Sequence, residues 1–425
     1  MSLGIKIVKG MKDTLPEDIG GWYFVEEKLK SLAMQYGYQE IRMPLLESTE
    51  LFKRAIGEVT DIVEKEMYTF VDKGGDTLTL RPESTAQTVR FALEHSLLRN
   101  QSQRFWYQGP MFRRENPQKG RYRQFTQFGI EALGLPGPDV DIEQLLMMAR
   151  LWHQVGLSDK IVLQLNTLGT APERATYRLA LVEYLTARSD QLDEDSQRRL
   201  QSNPLRILDS KNPNMQALIQ KAPVLIDYLG KESLHHFESI QGGLTAAGVK
   251  FELNPRLVRG LDYYTHTVYE WVTNALGSQG TVCAGGRYND LVTQLGGNPT
   301  PAVGFSLGIE RLIMLLSESK LIPEAAMVDL YFVAEGEPGQ AAALLLAEKL
   351  RDAMPGIRLQ TNCGGGSFKS QFKRADKSGA RFALIVGEKE LQSHTISIKP
   401  MREELPQQTL NLEQAVIYLQ QYFKR

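Results

Sequence analysis

Between Phe112 and Glu131 the chain reads FRRENPQKGRYRQFTQFGIE, and this stretch limits the possible folds more than any other. Pro117 and Gly120 break its middle, so it reads as two strands joined by a basic loop. Arg113, Arg114, Lys119, Arg121 and Arg123 stand there against a single acid, Glu115. In the second strand Arg121, Arg123, Phe125, Gln127, Gly129 and Glu131 fall on one face, because strand side chains repeat every two residues. Two cations, a ring, an amide and a carboxylate do not make a core face. Arginines beside an aromatic suit a nucleoside polyphosphate, with planar forks for phosphate and a π face for a base. Spacing alone leaves one alternative, an exposed charge-laced hairpin.

A chain of 425 residues has room for two or three domains and a sizeable core. Lys+Arg of 49 against Asp+Glu of 50 leaves almost no net charge. Contact with nucleic acid must then come from local patches rather than a global basic field. No apolar run reaches the length of a membrane span, and Met1–Gly10 has no signal-peptide pattern. Cys283 and Cys363 match no zinc or redox spacing. The expected setting is the cytoplasm, with reduced thiols and no membrane.

Residues 1–170 mix helix and strand patterns. Trp22–Tyr36 has a helical apolar spacing through Phe24, Leu29 and Leu32, stopped by Gly37. Met67–Val71 and Thr77–Leu80 read as a hairpin. Asp139 is expected to cap a helix with the stripe Ile142, Leu145, Leu146, Ala149 and Trp152, ended by Gly156. A polar helical stretch, about 171–247, has the character of an insertion. Strand patterns return at Val268–Val272 and Thr281–Cys283, so the first domain is expected to resume and to run over 1–325. Strands and helices then alternate, which predicts a small α/β domain over 328–425.

Further constellations carry chemistry. In Arg81-Pro-Glu-Ser-Thr85, Glu83 is able to receive an ammonium group while Thr85 adds a hydroxyl. Equally, Ser84 and Thr85 are good caps for a helix over Thr85–Leu93. Leu257–Tyr264 (LVRGLDYY) sets an arginine, an acid and two tyrosines beside Gly260. A ligand-facing Arg259 and a buried salt bridge among packed tyrosines both fit. Gly304–Arg311 (GFSLGIER) is expected to start a helix whose N-terminus attracts anions, with packing as the alternative. Cys363–Lys369 lacks the phosphate-loop spacing, yet it follows a strand, opens a helix and suits an anion or an RNA backbone. His235, His236 and His266 have no partners at metal-ligand spacing and read as surface or packing residues. Absence of G-x-G-x-x-G and G-x-S-x-G removes the main support for dinucleotide oxidoreduction and serine hydrolysis.

These residues together make the chain similar, essentially end to end, to the bacterial histidyl-tRNA synthetase family of class II aminoacyl-tRNA synthetases. Phe112–Glu131 resembles motif 2, Gly37–Pro44 motif 1, and Ala302–Leu316 motif 3. Leu257–Tyr264 and Ala284–Tyr288 resemble the two peptides that mark histidine specificity. The resemblance implies an α+β catalytic domain, with a class II antiparallel sheet flanked by helices, a helical insertion and a C-terminal α/β anticodon-binding domain. It implies an ATP-dependent ligase that makes histidyl-adenylate and pyrophosphate, then moves histidine to the 3′ end of its tRNA.

It also implies roles. Glu83, Thr85 and Gln127 would hold the α-amino group, and Glu131 and Tyr264 would read the imidazole, with Tyr288 in the same histidine-binding set. Arg113 and Arg259 would flank the α-phosphate as the catalytic pair, and Arg121 would lie near the γ-phosphate. Glu115 joins the ATP-binding set, and Phe125 and Arg311 would sandwich adenine. Gln118, Lys119 and Arg123 would touch the tRNA acceptor end, and Gly365 and Lys369 would lie near RNA in the last domain. Mg²⁺ would come with ATP as substrate, with no metal held tightly by the protein itself. The implied partners are ATP, L-histidine, tRNA(His) and a second copy in a homodimer. Ser84 stands where the family commonly has glycine, and Asn289-Asp290 replaces a common Asp-Gly. Arg114, Asn116 and Thr126 also differ from the common pattern, but none of these removes a charge assigned to catalysis. Two other classes come close: paralogues that serve as regulatory subunits of ATP phosphoribosyltransferase, and class II synthetases of other specificity. The first usually lack an anticodon domain; the two histidine peptides argue against the second.

Overall fold

The computed structural model describes residues 4–57, 60–116, 118, 120–210, 212–276, 280–323 and 328–423. Two compact units divide the chain, Met1–Ile322 and Pro323–Arg425.

In the first unit α1 (Ile19–Gln35) buries Val25, Leu29, Leu32 and Ala33 along one face, at the three- and four-residue spacing of a helix. Gly37, at φ +74°, ends it. Next come β1 (Gln39–Glu40), β2 (Leu46–Ser48), α2 (Thr49–Ile56), β3 (Tyr68–Val71), β4 (Thr77–Leu80) and α3 (Thr85–Glu94). A long antiparallel pair, β5 (Gln103–Phe112) and β6 (Gln124–Leu133), follows, then α4 (Asp139–Gln154) and β7 (Val162–Thr167). The polar stretch forms α5 (Ala171–Thr186), α6 (Glu194–Ser202), α7 (Gln216–Gln220) and α8 (Lys231–Ala246). Last are β8 (Phe251–Leu253), β9 (Thr265–Val272), β10 (Thr281–Arg287), α9 (Leu291–Gln294), β11 (Ala302–Gly308) and α10 (Ile309–Glu318).

An eight-stranded sheet in the order β1-β5-β6-β11-β10-β9-β7-β8 is the frame, and β2-β4-β3 form a small second sheet. Neighbours in the large sheet are antiparallel except at its edges, β1/β5 and β7/β8. Strand alternation gives its two faces different work. Phe128, Ile130 and Ala132 of β6 join Trp106, Trp152 and apolar residues of α1, α4 and α10 in one core. Phe125, Gln127, Gly129 and Glu131 face the other side, where the Glu131 carboxylate meets the Thr85 hydroxyl at the start of α3.

Three expectations need correction. Arg121 and Arg123 precede β6 rather than belonging to its face. Gly120 turns the chain at φ +73°; the Arg123 carbonyl still accepts from the Arg113 N–H at 2.9 Å, but its own N–H goes to the Gly10 carbonyl at 2.7 Å, and the ladder ends there. The helix expected within Gly304–Arg311 begins only at Ile309, with Gly308 as its N-cap; Gly304–Gly308 is strand, with Gly304 opposite Glu131 and Gly308 opposite Gln127. A Cβ on Gly304 would lie 1.8 Å from Glu131 Oε2, so this glycine makes room for a carboxylate. Asp139 makes no cap bond; it is the first residue of α4, after Pro138. The buried face of α4 is wider than the expected stripe, taking in Val140, Met148 and Leu151. Ile142 meanwhile packs on Gly243 of α8, so the helix is covered on a second side.

Glu173 organises the helical stretch. It completes a capping box with Thr170 and also accepts from the Gly230 N–H at 2.6 Å and the Ser233 hydroxyl at 2.8 Å. Burial works against its ionisation, but these bonds outweigh it and hold its pKa at about 2.

The second unit contains β12 (Leu330–Ala334), α11 (Gly336–Ala353), β13 (Leu359–Thr361), α12 (Phe368–Lys377) and β14 (Phe382–Val386). It continues with α13 (Glu388–Ser393), β15 (Ile396–Pro400), β16 (Gln408–Leu410) and α14 (Leu412–Gln420). Its sheet runs β13-β12-β14-β15-β16, parallel across the first three strands and antiparallel across the rest. Among the described residues no helix is long and apolar enough to cross a membrane.

Candidate active site

A cavity of about 250 Å³ opens over the Phe125–Glu131 face of β6. Its walls come from β6, β9, β10 and β11, the start of α3, and the loops that carry Arg113–Tyr122 and Arg259–Tyr264.

One end is built around carboxylates. Both Glu83 oxygens accept backbone N–H groups, from Thr85 at 2.7 Å and Ala86 at 3.0 Å. Glu83 therefore caps α3 and lines the cavity at once. Ser84, one of the two expected caps, makes no cap bond; its hydroxyl donates to Gln87 Oε1 at 3.0 Å. Glu131 is buried behind Thr85 and Gly304. Its Oε1 accepts from the Thr85 hydroxyl at 2.8 Å and the Tyr107 hydroxyl at 3.2 Å, and its Oε2 from the Tyr288 hydroxyl. Gly129 exists for this arrangement, because a Cβ there would collide with the Tyr107 ring. Burial pushes the Glu131 carboxyl up to about 8, against the hydrogen bonds from Tyr288 and Thr85. Glu83 is also raised by burial, in spite of its N–H donors. Gln127 lines the cavity with Oε1 buried and unpartnered, an acceptor waiting for a donor.

The other end is cationic. Arg113 donates Nε–H to the Pro82 carbonyl at 2.8 Å and lies 5.4 Å from the Phe125 ring centre. Arg121 pairs with Glu115 at 2.7 Å. Arg259 pairs with Glu270 and lies 5.7 Å from the Tyr264 ring centre. Both sequence alternatives for Arg259 thus hold together: a salt bridge among tyrosines, and a place on the cavity wall. Burial acts against its charge, but Glu270 outweighs it and keeps its pKa above the ordinary arginine value. Arg311 donates to the Thr281 carbonyl and also lines the cavity. Burial, then the charge of Arg121, lowers its pKa to about 10.

Comparison with known proteins agrees with this geometry. The family model described as Histidyl-tRNA synthetase matches residues 10–312, and that described as Anticodon binding domain matches 332–422. The apo histidyl-tRNA synthetase of S. aureus is 36% identical over 97% of this chain and 99% of its own, with a TM-score of 0.80.

The chain belongs to the histidyl-tRNA synthetase family.

As a member of that family it is an ATP-dependent histidine–tRNA ligase of class II. The histidyl-tRNA synthetase of Nostoc sp. PCC 7120 shares the fold at 20% identity, covering 98% of this chain and 99% of its own, with a TM-score of 0.71. An ATP phosphoribosyltransferase regulatory subunit/histidyl-tRNA synthetase from Bacillus halodurans C shares it at 23% identity, covering 91% and 99%, with a TM-score of 0.64.

Not every synthetase site residue named from sequence reaches the cavity. Glu131 and Tyr288 both lie behind its lining: Tyr288 bonds Glu131, and Glu131 meets the lining through the Thr85 hydroxyl. Arg123 is tied to main chain, its Nε–H to the Glu115 carbonyl and a terminal N–H to the Lys9 carbonyl, both at 3.3 Å. Gln118 is exposed and forms an isolated bridge with Arg121; Lys119 lies outside the described residues. In the second unit Gly364, Gly365 and Gly366 all have positive φ, Lys369 is exposed, and the Gly365 carbonyl accepts from Asn362 and Arg374. Arg287, inside the second histidine peptide, is fully buried against Asp141 and does not touch the cavity.

Two acids were missed. Glu270 of β9 pairs Arg259, and Glu310 of α10 lines the cavity with Oε2 buried and unpartnered. Burial pushes Glu310 up to about 7. The signal for Glu270 was in the sequence: THTVYEWV is an apolar strand with one unexplained charge.

Proposed function

We propose that the cavity binds L-histidine at its carboxylate end and ATP across its arginines, and that activation and transfer both occur there. The carrying observation is Gln127, whose unpartnered buried Oε1 shares one wall with Glu83 and Thr85. An α-ammonium group would satisfy all three. Glu131 would accept the imidazole N–H, and Tyr288 would position Glu131. Such a site rejects isosteres by leaving its buried polar groups unpaired.

ATP would lie with its adenine between Phe125 and Arg311, its α-phosphate between Arg113 and Arg259, and its γ-phosphate near Arg121. A histidine carboxylate oxygen would attack the α-phosphorus as the bond to pyrophosphate breaks. No protein nucleophile is required, so placement and fixed positive charge supply the catalysis. The 3′-hydroxyl of the tRNA would then attack the adenylate carbonyl and release AMP. Gln118, with Lys119 beside it, would meet the acceptor end. The second unit would read the anticodon, with Gly365 and Lys369 near RNA.

Mg²⁺ would arrive on the phosphates of ATP. Magnesium commonly binds through substrate phosphates with one or two carboxylates rather than in an all-protein cage; on the cavity wall Glu115 and Glu270 are each paired with an arginine. The motif 1 resemblance supports a homodimer, and membership of the synthetase family supports a cytoplasmic setting.

Histidine-dependent ATP–pyrophosphate exchange, run against all amino acids, tests the reading. Exchange with histidine alone is expected, and its absence would overturn the assignment. Arg259→Ala should depress adenylate formation far more than histidine binding; equal losses would make its role ground-state binding.

A further inference from the structure

Arg259 does not stand alone in the cavity wall. Its NH1 donates to Glu270 Oε1, while its Nε is buried and has no partner. Glu270 Oε2 in turn accepts from the Thr281 hydroxyl at 2.7 Å. The Thr281 carbonyl accepts from Arg311 NH1. The chain Arg259–Glu270–Thr281–Arg311 therefore runs without a break along one side of the cavity, and all four residues line it.

Local backbone geometry aims this chain. Thr281 begins β10, where the pairing with β9 shifts register between Thr281 and Cys283. A shift of that kind twists a strand and redirects its side chains. The Glu270 side chain, one strand away, is 16% exposed, so its charge needs the partner it has in Arg259.

We propose that Glu270 and Thr281 are positioning residues for the activation step, holding Arg259 and Arg311 in their ATP-ready orientations. A guanidinium is a rigid planar fork. With Glu270 on its NH1 corner and the Tyr264 ring 5.7 Å away, the direction of the guanidinium on the cavity wall is fixed before any ligand arrives. A phosphate oxygen then meets a cation that is already held in place. Thr281 serves both arginines, its hydroxyl through Glu270 and its carbonyl directly. Closing on the base and presenting a cation to the α-phosphate become one coupled arrangement.

This inference rests on Arg259 being the phosphate-facing cation. The test is histidine-dependent ATP–pyrophosphate exchange in the full-length chain, with E270Q, T281V, T281S and R259A compared alongside urea unfolding. E270Q keeps the shape and loses the charge; it should lower kcat about 10- to 100-fold, less than the roughly 10²–10³-fold cost of removing a transition-state donor outright, because Arg259 itself remains. The KM for histidine should stay within about twofold, because the histidine end is untouched. T281V should lower kcat about three- to tenfold, the worth of one hydrogen bond, and T281S should restore it. A merely structural role predicts lower urea midpoints with kcat intact, or equal changes in both KM values with kcat intact, and either result overturns the proposal. If E270Q fails to fold, the T281V/T281S pair decides: equal kcat in the two overturns it. R259A separates the layers. Wild-type exchange in R259A removes the reading of the site itself, whereas a crippled R259A beside unimpaired E270Q and T281V removes only the positioning role.

Discussion

The titration of Glu131 makes a measurable claim about folding. Burial raises its pKa from 4.5 to about 8. At ~1.4 kcal/mol per pH unit, that rise is a ceiling of ~5 kcal/mol. The folded chain keeps a proton that the unfolded chain gives up, so this contribution to stability is complete below pH 4.5 and is lost as pH rises to about 8. The amide that replaces the carboxyl in a Glu131→Gln variant cannot titrate. Glu83 and Glu310 are raised by burial too, but they remain in both proteins and largely cancel when wild type and variant are compared. The window from about pH 5 to about pH 8.5 samples ~4 kcal/mol of that ceiling, and Glu83, which acts on Glu131 directly, trims the expected difference to ~2–4 kcal/mol. Urea unfolding followed by tryptophan fluorescence is the assay, since Trp22, Trp106, Trp152 and Trp271 all lie in the first unit. The advantage of wild type over E131Q should shrink by that amount between about pH 5 and about pH 8.5. An offset that is the same at both pH values would show that the carboxyl is ionised throughout, and the account of the histidine end would be wrong.

Other outcomes follow from single contacts. Breaking the fully buried Arg287–Asp141 pair with Asp141→Ala should cost ~3–5 kcal/mol in urea unfolding, because it strands a guanidinium; a cost under ~1 kcal/mol would show that the charge finds water. Gly304→Ala places a Cβ 1.8 Å from Glu131 Oε2 and should abolish histidine-dependent exchange, so an unchanged KM for histidine would refute the close approach. A chain ended after Ile322 should still activate histidine but charge tRNA poorly, and unimpaired charging would remove the anticodon role of the second unit.

What could be read from sequence was whatever depended on local periodicity. Phe125, Gln127, Gly129 and Glu131 share a face because a strand repeats every two residues, whatever lies around it. The face of α1 follows from helical spacing in the same way. Arg123 was misplaced because its position is set across more than a hundred residues of chain, by Gly10 and Lys9, and Arg121 because the turn at Gly120 ties it back to Gln118 and Glu115. Gly304 looked like part of a helix entry because glycines suit both readings; the helix starts only after Gly308, its N-cap, and it is Glu131 on the opposite strand that leaves Gly304 no room for a Cβ. Arg81–Thr85 read equally as a ligand site, through Glu83 and Thr85, or as a helix cap, through Ser84 and Thr85; in the structure Glu83 does both, lining the cavity and taking the N–H groups at the helix end.

The cavity concentrates charge at a cost that the empty protein must offset internally. Arg121 is paired with Glu115, Arg259 with Glu270, Arg311 bonds the Thr281 carbonyl, and Glu83 takes two backbone N–H groups. Removing one member of such a set leaves its partner buried and uncompensated, so a substitution there damages folding and chemistry together. Several buried side-chain atoms among the described residues have no protein partner, and Trp152 Nε1 and the Tyr269 hydroxyl are two that lie in the core. Three others, Gln127 Oε1, Arg259 Nε and Glu310 Oε2, belong to residues that line this cavity. A buried donor or acceptor without a partner costs free energy until something supplies the missing group. On the proposed reading histidine and ATP would supply it, and substrate binding would complete a hydrogen-bond network that the fold leaves open here.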